Sequence, residues 1–254
     1  MFACKGETLV GSLDDAAGST GLLIVTGGNE VRAGAHRGMA LLAPRLAADG
    51  VPVFRYDRRG VGDSGGDNPG FVGAREDLLA AADAFRAAAP GVTRIVGFGN
   101  CDAATTLAWW GREAGCDAVA LANPWVVEPA GDLPPPAAVR AHYRVQLRDP
   151  RVWARVLRRG VSLPKLVRGM RSLVVRRAEG DLTRDTLAAI AGWGDAATVV
   201  LARGDGTAIA YTDAARRAGL AVRTVMVETG SHSFARARDA EALEAVIRSV
   251  VKDV

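Results

Sequence analysis

The chain has 254 residues, of which 49% are hydrophobic and 24% are charged, a balance typical of a globular domain with one sizeable core. Its formal net charge of +4 comes with no helix-turn-helix, zinc-knuckle or aromatic-basic motif, so no nucleic-acid partner is expected. No apolar run reaches the ~20 residues of a membrane span, and residues 1–10 lack the apolar stretch of a secretory signal. The expected location is the cytoplasm, without a membrane span.

The cysteines of the chain exclude two further classes of protein. Cys4, Cys101 and Cys116 have neither the even number of a disulfide framework nor the spacing of a zinc site. We therefore expect free thiols, no bound metal and no cofactor. In a reducing compartment, a cysteine in a suitable setting stays available as a nucleophile.

Short apolar runs alternate with helical patterns along the chain. Strands are predicted over residues 21–26, 51–56, 93–98, 117–122, 197–202 and 222–227. Helices are predicted over residues 36–48, 76–88, 102–114 and 240–251. This alternation predicts an α/β fold in which a mostly parallel central sheet is flanked by helices.

One long segment, residues 128–185, breaks this alternation. It begins near a proline cluster, Pro134–Pro136, and contains no strand pattern. Basic amphipathic helical patterns cover residues 137–147, 150–158 and 163–175. We predict that the segment forms a helical cap over a core made of residues 1–127 and 186–254. A pair of ordinary crossover helices is the alternative.

The predicted cap is rich in positively charged side chains. Its basic residues are Arg140, Arg144, Arg148, Arg151, Arg155, Arg158, Arg159, Lys165, Arg168 and Arg171. Guanidinium groups suit an anionic partner such as a CoA or carrier-protein thioester. An ordinary solvated helix face is the simpler interpretation of the same pattern.

The third predicted strand runs directly into Gly99-Asn100-Cys101-Asp102-Ala103 and then into a helix. This arrangement matches the G-x-S-x-G nucleophile elbow, with cysteine in place of serine and alanine in place of the last glycine. The residues two positions from the cysteine are small, as a tight strand-to-helix turn requires. The N-terminus of a helix also favours a thiolate. The cysteine is therefore the candidate nucleophile, although a buried structural cysteine would give the same local pattern.

Two further polar residues follow predicted strands. Asp205 comes just after the fifth strand, and His232 lies between the sixth strand and the last helix. Nucleophile, acid and histidine therefore occur in the chain order found in α/β-hydrolases. We predict a triad in which His232 takes the proton of the Cys101 thiol and Asp205 orients the imidazole. Glu228 and Asp213 are the alternative acids.

Acyl transfer also needs hydrogen-bond donors for the carbonyl oxygen that becomes negatively charged. The backbone amide of Asp102, directly after the nucleophile, is the first candidate. The second is the amide of Asn29 or of Gly28, in the loop after the first predicted strand. A glycine pair after a strand is also common in plain tight turns, so that interpretation stays open here.

The same loop continues into a polar cluster of Glu30, Arg32, His36 and Arg37. These side chains either contact the substrate or form a helix cap with its ion pairs. The carboxylate of Asp102 is unusual, because a negative charge opposes ionisation of a neighbouring thiol. It either faces away from Cys101, caps the following helix or binds a cationic substrate.

Several motifs together resemble a known group of enzymes. Tyr56–Ser64 (YDRRGVGDS) looks like the D-x-R-G-x-G-x-S loop of α/β-hydrolases, which buttresses the active site. With Gly27–Arg37 (GGNEVRAGAHR), Gly99–Ala103 (GNCDA) and Asn123–Trp125 (NPW), the chain is similar to the exosortase A system-associated hydrolases of the hydrolase 1 type. That bacterial group also carries cysteine in the elbow. The resemblance covers residues 20–240 and includes the predicted triad, and it makes Trp125 a candidate substrate contact.

The predicted function is a cysteine-dependent acyl hydrolase, an esterase or thioesterase, which acts on a small-molecule acyl substrate through a thioester acyl-enzyme. An acyltransferase is the first alternative, because amines, alcohols and thiols can take an acyl group from a thioester. A non-catalytic binding or scaffold protein with the same fold is the second. No feature of the sequence favours a particular oligomeric state.

Overall fold

The computed structural model describes residues 1–127 and 181–254. The strands in these ranges are β1 (Phe2–Cys4), β2 (Glu7–Leu9), β3 (Gly11–Asp14), β4 (Thr20–Val25), β5 (Val53–Tyr56), β6 (Arg94–Asn100), β7 (Ala118–Ala122), β8 (Ala197–Ala202) and β9 (Arg223–Val227). The α-helices are α1 (Gly38–Ala48), α2 (Arg75–Ala88), α3 (Asp102–Trp110), α4 (Asp181–Trp193), α5 (Gly206–Ala218) and α6 (Ala237–Lys252).

Seven of these strands form one sheet in the order β3-β5-β4-β6-β7-β8-β9. Strand β3 is antiparallel to its neighbour β5, whereas all the other pairs in the sheet are parallel. Strands β1 and β2 form a separate antiparallel hairpin. The mostly parallel sheet predicted from the sequence is confirmed.

Helices cover both faces of the sheet because its central strands are apolar on both sides. In β4, Leu22 and Ile24 point to one face and pack in a cluster with residues of α1 and α6. Leu23 and Val25 point to the other face, where the cluster includes residues of α2, α3, α4 and α5. No helix in the described part of the chain is both long enough and apolar enough to cross a membrane.

The order of the strands reverses at β4, which pairs with β5 on one side and with β6 on the other. In open α/β sheets the carboxyl ends of strands border a crevice at such a reversal. The last residue of β4, Val25, lies opposite Gly99 near the end of β6. The structure therefore brings the loop after β4 and the elbow after β6 together.

The predicted elements within the described ranges agree with the observed ones to within a few residues, and β8 has the predicted bounds. Strands β1, β2 and β3 were not predicted. Each has only three or four residues, and most of their positions are partly or fully exposed, so no apolar run marks them. Helix α5 fills the interval between Asp205 and β9.

The three helical patterns predicted for the cap lie outside the described residues. The last part of the predicted cap, residues 181–185, forms the start of α4. This helix packs against α3: buried Trp193 donates a hydrogen bond from Nε1 to the carbonyl of Ala108 at 3.0 Å. The guanidinium of Arg112 lies 4.4 Å from the Trp193 ring centroid. Helix α4 is thus part of the helical layer beside the sheet.

Candidate active site

Cys101 occupies a sharp turn between β6 and α3. Its backbone angles are φ 62° and ψ −125°, a left-handed conformation that is costly for a residue with a side chain. The turn is held on both sides, because the Cys101 N–H donates to the carbonyl of Ala122 at 2.9 Å and the Cys101 carbonyl accepts from the N–H of Ala104 at 3.2 Å. The thiol is half-buried at the N-terminus of a helix, the setting the sequence predicts for a nucleophile.

Small residues beside the elbow let β6 and α3 approach each other closely. A Cβ atom on Gly99 would lie 2.8 Å from the carbonyl carbon of Ala103 and 3.0 Å from the backbone N of Ala104. We expect Gly99→Ala to destabilise the protein by about 1–3 kcal/mol, because backbone atoms of a helix cannot easily move aside. Urea unfolding would measure this loss, and alkylation of Cys101 by iodoacetamide would show whether the elbow is distorted.

Gly192 in α4 offers a matched control for that substitution. A Cβ atom there meets no atom within 4 Å. Alanine at this helical position should be neutral or should stabilise the protein by up to about 1 kcal/mol. A Gly99→Ala variant that unfolds at the same urea concentration as Gly192→Ala would contradict the steric account of the elbow.

His232 lies in the loop between β9 and α6, next to both of the other triad candidates. Nδ1 lies 3.1 Å from Oδ2 of Asp205, and the side chain is also close enough to Cys101 to interact with it. With Nδ1 on the aspartate, Nε2 is the nitrogen left for the sulfur. The structure therefore brings together the three residues that the sequence proposes as a triad.

Asp205 is fixed by its place at the start of α5. Its carboxylate caps the helix by accepting hydrogen bonds from the backbone N–H groups of Thr207 and Ala208, both at 3.0 Å. The same oxygen, Oδ2, faces His232. A capping carboxylate held by two backbone donors has little freedom to rotate, so it presents a fixed acceptor to the imidazole.

The contacts shift the pKa values of both groups. The hydrogen bonds of His232 with Asp205 and then with Cys101 raise its pKa to about 10, although burial opposes the shift. Burial opposes ionisation of Asp205, but the hydrogen bonds from His232 and Ala208 outweigh it and lower the pKa of the carboxyl. At neutral pH these shifts favour an imidazolium beside a carboxylate.

Two asparagines that the sequence analysis did not select hold the histidine loop in place. Asn100 and Asn123 each donate a side-chain N–H to the carbonyl of His232, at 3.0 and 3.1 Å. Asn123, which is completely buried, also donates to Oδ1 of Asn100 at 3.0 Å and accepts from the N–H of Ala202 at 2.8 Å. Asn100 is the last residue of β6, and Asn123 directly follows the neighbouring strand β7. A polar residue at the end of each strand is the sequence signal that could have identified them.

The loop after β4 lies against the elbow, and one of its amides is already engaged. The N–H of Gly28 donates to Oδ1 of Asp102 at 2.8 Å, so this amide is not free to bind an oxyanion and the Gly28 candidate needs correction. Asn29 follows it, and its side-chain oxygen accepts a hydrogen bond from Asn68 at 2.8 Å. The amides of Asn29 and Asp102 remain as the candidate donors.

The polar cluster that follows in the loop divides into two parts. Glu30 is close enough to interact electrostatically with His232, Asp102 and His36, and burial raises its pKa against the opposing effect of a hydrogen bond from the N–H of Ala35. Glu30 therefore lies on the side of the loop that borders the candidate site, where it lines a cavity together with Asn100 and Ser233, and His36 lies near Glu30.

Arg32 has a different environment, because its Nη1 and Nε atoms contact other residues of the protein. Its Nη1 contacts the carboxylates of Asp57 and Asp63, and its Nε donates to Oγ of Ser12 at 3.0 Å. Asp57 is fully buried and belongs to the loop 56–64. Arg32 thus ties the loop after β4 to that neighbouring loop, which agrees with the ion-pair alternative for this residue.

Trp125 and the alternative acids are also placed by the structure. The N–H of Trp125 donates to the carbonyl of Cys101 at 3.2 Å, so its backbone lies beside the elbow. Glu228 is exposed and pairs with Arg203 at 2.6 Å. Asp213 lies on α5 in ion pairs with arginines of the same helix. Asp205 is therefore the acid that reaches His232.

Comparisons with known proteins address the fold. No protein-family model matches the sequence, and a search of curated proteins finds no match. The esterase Pf2001 of Pyrococcus furiosus is 15% identical, with a TM-score of 0.64 over 99% of this chain and 88% of that chain. The enol-lactonase of Burkholderia xenovorans LB400 is 18% identical, with a TM-score of 0.61 over 99% and 100%. Mouse α/β hydrolase domain-containing protein 10 is 12% identical, with a TM-score of 0.60 over 100% and 98%.

At these identities the likeness concerns the fold. The sheet order, the single antiparallel strand β3 and the similar solved structures together define an α/β-hydrolase fold, as the sequence predicts. The candidate site lies at the carboxyl ends of β4, β6, β8 and β9, where the loops of this chain carry its own set of polar residues.

Proposed function

We propose that this protein is a cysteine-dependent acyl hydrolase that cleaves esters or thioesters. The observation that carries the proposal is the chain of contacts from Asp205 through His232 to Cys101, with the sulfur on a strained turn at the N-terminus of α3. The names of structurally similar proteins, an esterase and an enol-lactonase, fit the same class of reaction. Retention of a matched acid and base beside the cysteine argues against a binding or scaffold protein.

The reaction begins when His232 takes the proton of the Cys101 thiol and the sulfur attacks the carbonyl carbon of the substrate. A C–S bond forms, and the carbonyl electron pair moves to the oxygen, which the amides of Asp102 and Asn29 would stabilise. When the oxyanion collapses, the bond to the leaving group breaks and the leaving group takes a proton from the His232 imidazolium. The acyl group is then held on Cys101 as a thioester.

Release of the acyl group repeats these steps with water. His232 takes a proton from the water, whose oxygen attacks the thioester carbonyl, and the C–S bond breaks to restore the thiolate. Asp205 keeps the imidazole oriented and stabilises its positive charge throughout. Because the intermediate is a thioester, an amine, alcohol or thiol acceptor can replace water, and acyl transfer is the second candidate function.

The substrate class is proposed from the sequence. The chain resembles cysteine-containing hydrolases associated with the exosortase A system, and the basic residues between Arg140 and Arg171 would suit an anionic acyl donor such as a CoA or carrier-protein thioester. Those basic residues lie outside the described part of the chain. Glu30, which borders the site, and the nearby His36 are the described candidates for substrate contacts.

Intact mass spectrometry tests the proposal directly. The protein would be mixed with a panel of acyl p-nitrophenyl esters and acyl N-acetylcysteamine thioesters and quenched in acid within seconds. We expect one added acyl mass on the wild type, located on Cys101 by peptide mapping, and no such mass on Cys101→Ala. An adduct of equal yield on both proteins, or turnover unchanged in Cys101→Ala, would reject the cysteine mechanism.

Adding acceptors separates hydrolysis from transfer. The same reactions would be repeated with an amine, an alcohol and a thiol, and the products would be identified by mass. If the free acid remains the only product at high acceptor concentration, the protein is a hydrolase. If an acylated acceptor replaces the free acid, the protein is an acyltransferase.

A further inference from the structure

The side chain of Asp102 has a role that its position after the nucleophile does not by itself require. We propose that Asp102 is a positioning residue, whose carboxylate holds the loop after β4 so that the Asn29 amide is aimed at the oxygen of the reacting carbonyl. The inference rests on the proposed function, because it concerns the oxyanion donors of the same site. One residue would then control both donors, the first through its own amide and the second through its side chain.

The peptide groups on either side of Gly28 are held at both ends. The Gly28 N–H donates to Oδ1 of Asp102 at 2.8 Å, and the carbonyl of Gly28 accepts a hydrogen bond from Nη2 of Arg58. Because Gly28 has a left-handed φ of 55°, these two contacts fix a backbone turn that would otherwise be free to rotate. The next amide, that of Asn29, is in this way given a fixed direction.

Gly27 makes room for this contact. A Cβ atom at this position would lie 2.5 Å from Oδ1 of Asp102 and 2.8 Å from the carbonyl oxygen of Asn100. A side chain at residue 27 would therefore displace the carboxylate from the Gly28 amide. Gly27 thus has a steric reason that depends in part on Asp102, whereas Gly28 supplies the left-handed turn.

Arg58 explains how a carboxylate can sit beside a cysteine nucleophile. Nη2 of Arg58 lies 3.9 Å from Oδ2 of Asp102, and the arginine side chain is only 1% exposed. Nε and Nη1 of Arg58 have no hydrogen-bond partner among the described residues, and Asp102 is the carboxylate there that forms an ion pair with this guanidinium. The negative charge of Asp102 is thereby directed to the arginine and the loop, away from the sulfur.

Three variants of Asp102 separate the hydrogen bond from the charge. Asp102→Asn keeps the length of the side chain and an acceptor oxygen but removes the charge. Asp102→Leu has a similar shape and no acceptor. Asp102→Ala removes both the acceptor and the bulk. Asp83→Ala, which removes an 85% exposed carboxylate on α2, is the control for loss of an acidic side chain. Thermal unfolding would first confirm that each variant is folded. If only one of Asp102→Leu and Asp102→Ala folds, that variant alone is enough for the test.

The expected result is a loss of kcat without a matching change of KM. With p-nitrophenyl acetate, Asp102→Leu and Asp102→Ala should lower kcat about 10- to 100-fold, since a displaced oxyanion donor acts only in the transition state. KM should stay within about threefold, and Asp102→Asn should recover most of the lost rate. Alkylation of Cys101 by iodoacetamide needs no oxyanion donor, so it should persist in all three variants.

Three outcomes would overturn the inference. They are unchanged kcat in Asp102→Leu and Asp102→Ala, a loss in Asp102→Asn as large as in Asp102→Leu, and loss of Cys101 alkylation together with kcat. A failure of the proposed function gives a different result, because turnover would then survive Cys101→Ala as well.

Discussion

Replacing Cys101 by alanine is expected to lower kcat/KM on an ester such as p-nitrophenyl acetate by at least about 10⁴-fold. Without the sulfur no acyl-enzyme can form, and the remaining donors can only orient water. Initial rates across a range of substrate concentrations would measure the loss. The fold should be retained, since the side chain is half-buried and small.

The other two cysteines provide the control for that substitution. Cys116 is buried, and burial raises the pKa of its thiol to about 12, so it is not a nucleophile at neutral pH. Burial and then a hydrogen bond to Asp77 raise the pKa of Cys4 to about 11. Cys116→Ala should keep wild-type kcat/KM and the rapid alkylation of Cys101. Equal losses of kcat/KM in Cys101→Ala and Cys116→Ala would point to a general effect on folding. Cys101 would then not be the nucleophile.

The sheet could be predicted because its strands carry strong local signals. Runs such as β8 (ATVVLA), with all six residues buried, stand out between polar turns, and their length limits them to strands. Strands β1 to β3 lack such runs, since they lie at an edge of the sheet or in a separate hairpin. Their pairing depends on residues far away along the chain, as in the register of β3 with β5, which a local pattern does not contain.

The candidate triad could also be predicted, whereas its supports could not. Cys101, Asp205 and His232 each follow a strand, so one rule about strand ends brings them together. The contact between Asp102 and Gly28 joins residues 74 positions apart, and that between Asn123 and the His232 carbonyl spans 109. Such contacts depend on the direction of side chains in folded loops, which periodicity does not define. This is also why the sequence left two roles open for Arg32, a substrate contact or an ion pair, whereas the structure shows its ion pairs with Asp57 and Asp63.

Asp205 is the residue whose substitution separates catalysis from folding most clearly. Asparagine is as good as aspartate at the N-cap of a helix, so Asp205→Asn should keep α5 capped through Thr207 and Ala208. It should nevertheless lower kcat/KM by about 10³- to 10⁴-fold, because the imidazole loses the carboxylate that orients it and stabilises its charge. Asp205→Ala should show the same loss of activity and a further loss of stability of about 1 kcal/mol from the missing cap. Steady-state kinetics and urea unfolding of the two variants would measure these effects separately.

The pH dependence of the free energy of unfolding tests the same interaction between Asp205 and His232. The pKa of His232 is raised from 6.5 to about 10, so the stability from its partners is complete below pH 6.5 and is lost as the pH rises through 10. The pKa of Asp205 is lowered from 3.8, so its share is present above pH 3.8 and is lost as the pH falls below that value. The free energy of unfolding of the wild type should therefore exceed that of Asp205→Asn most between these limits, and the difference should shrink at both ends.

In Asp205→Asn the pKa of His232 should fall toward 6.5, and rapid alkylation of Cys101 near neutral pH should fall with it. If both proteins show the same pH profile for alkylation, Asp205 does not act through the imidazole, and its role is confined to capping α5.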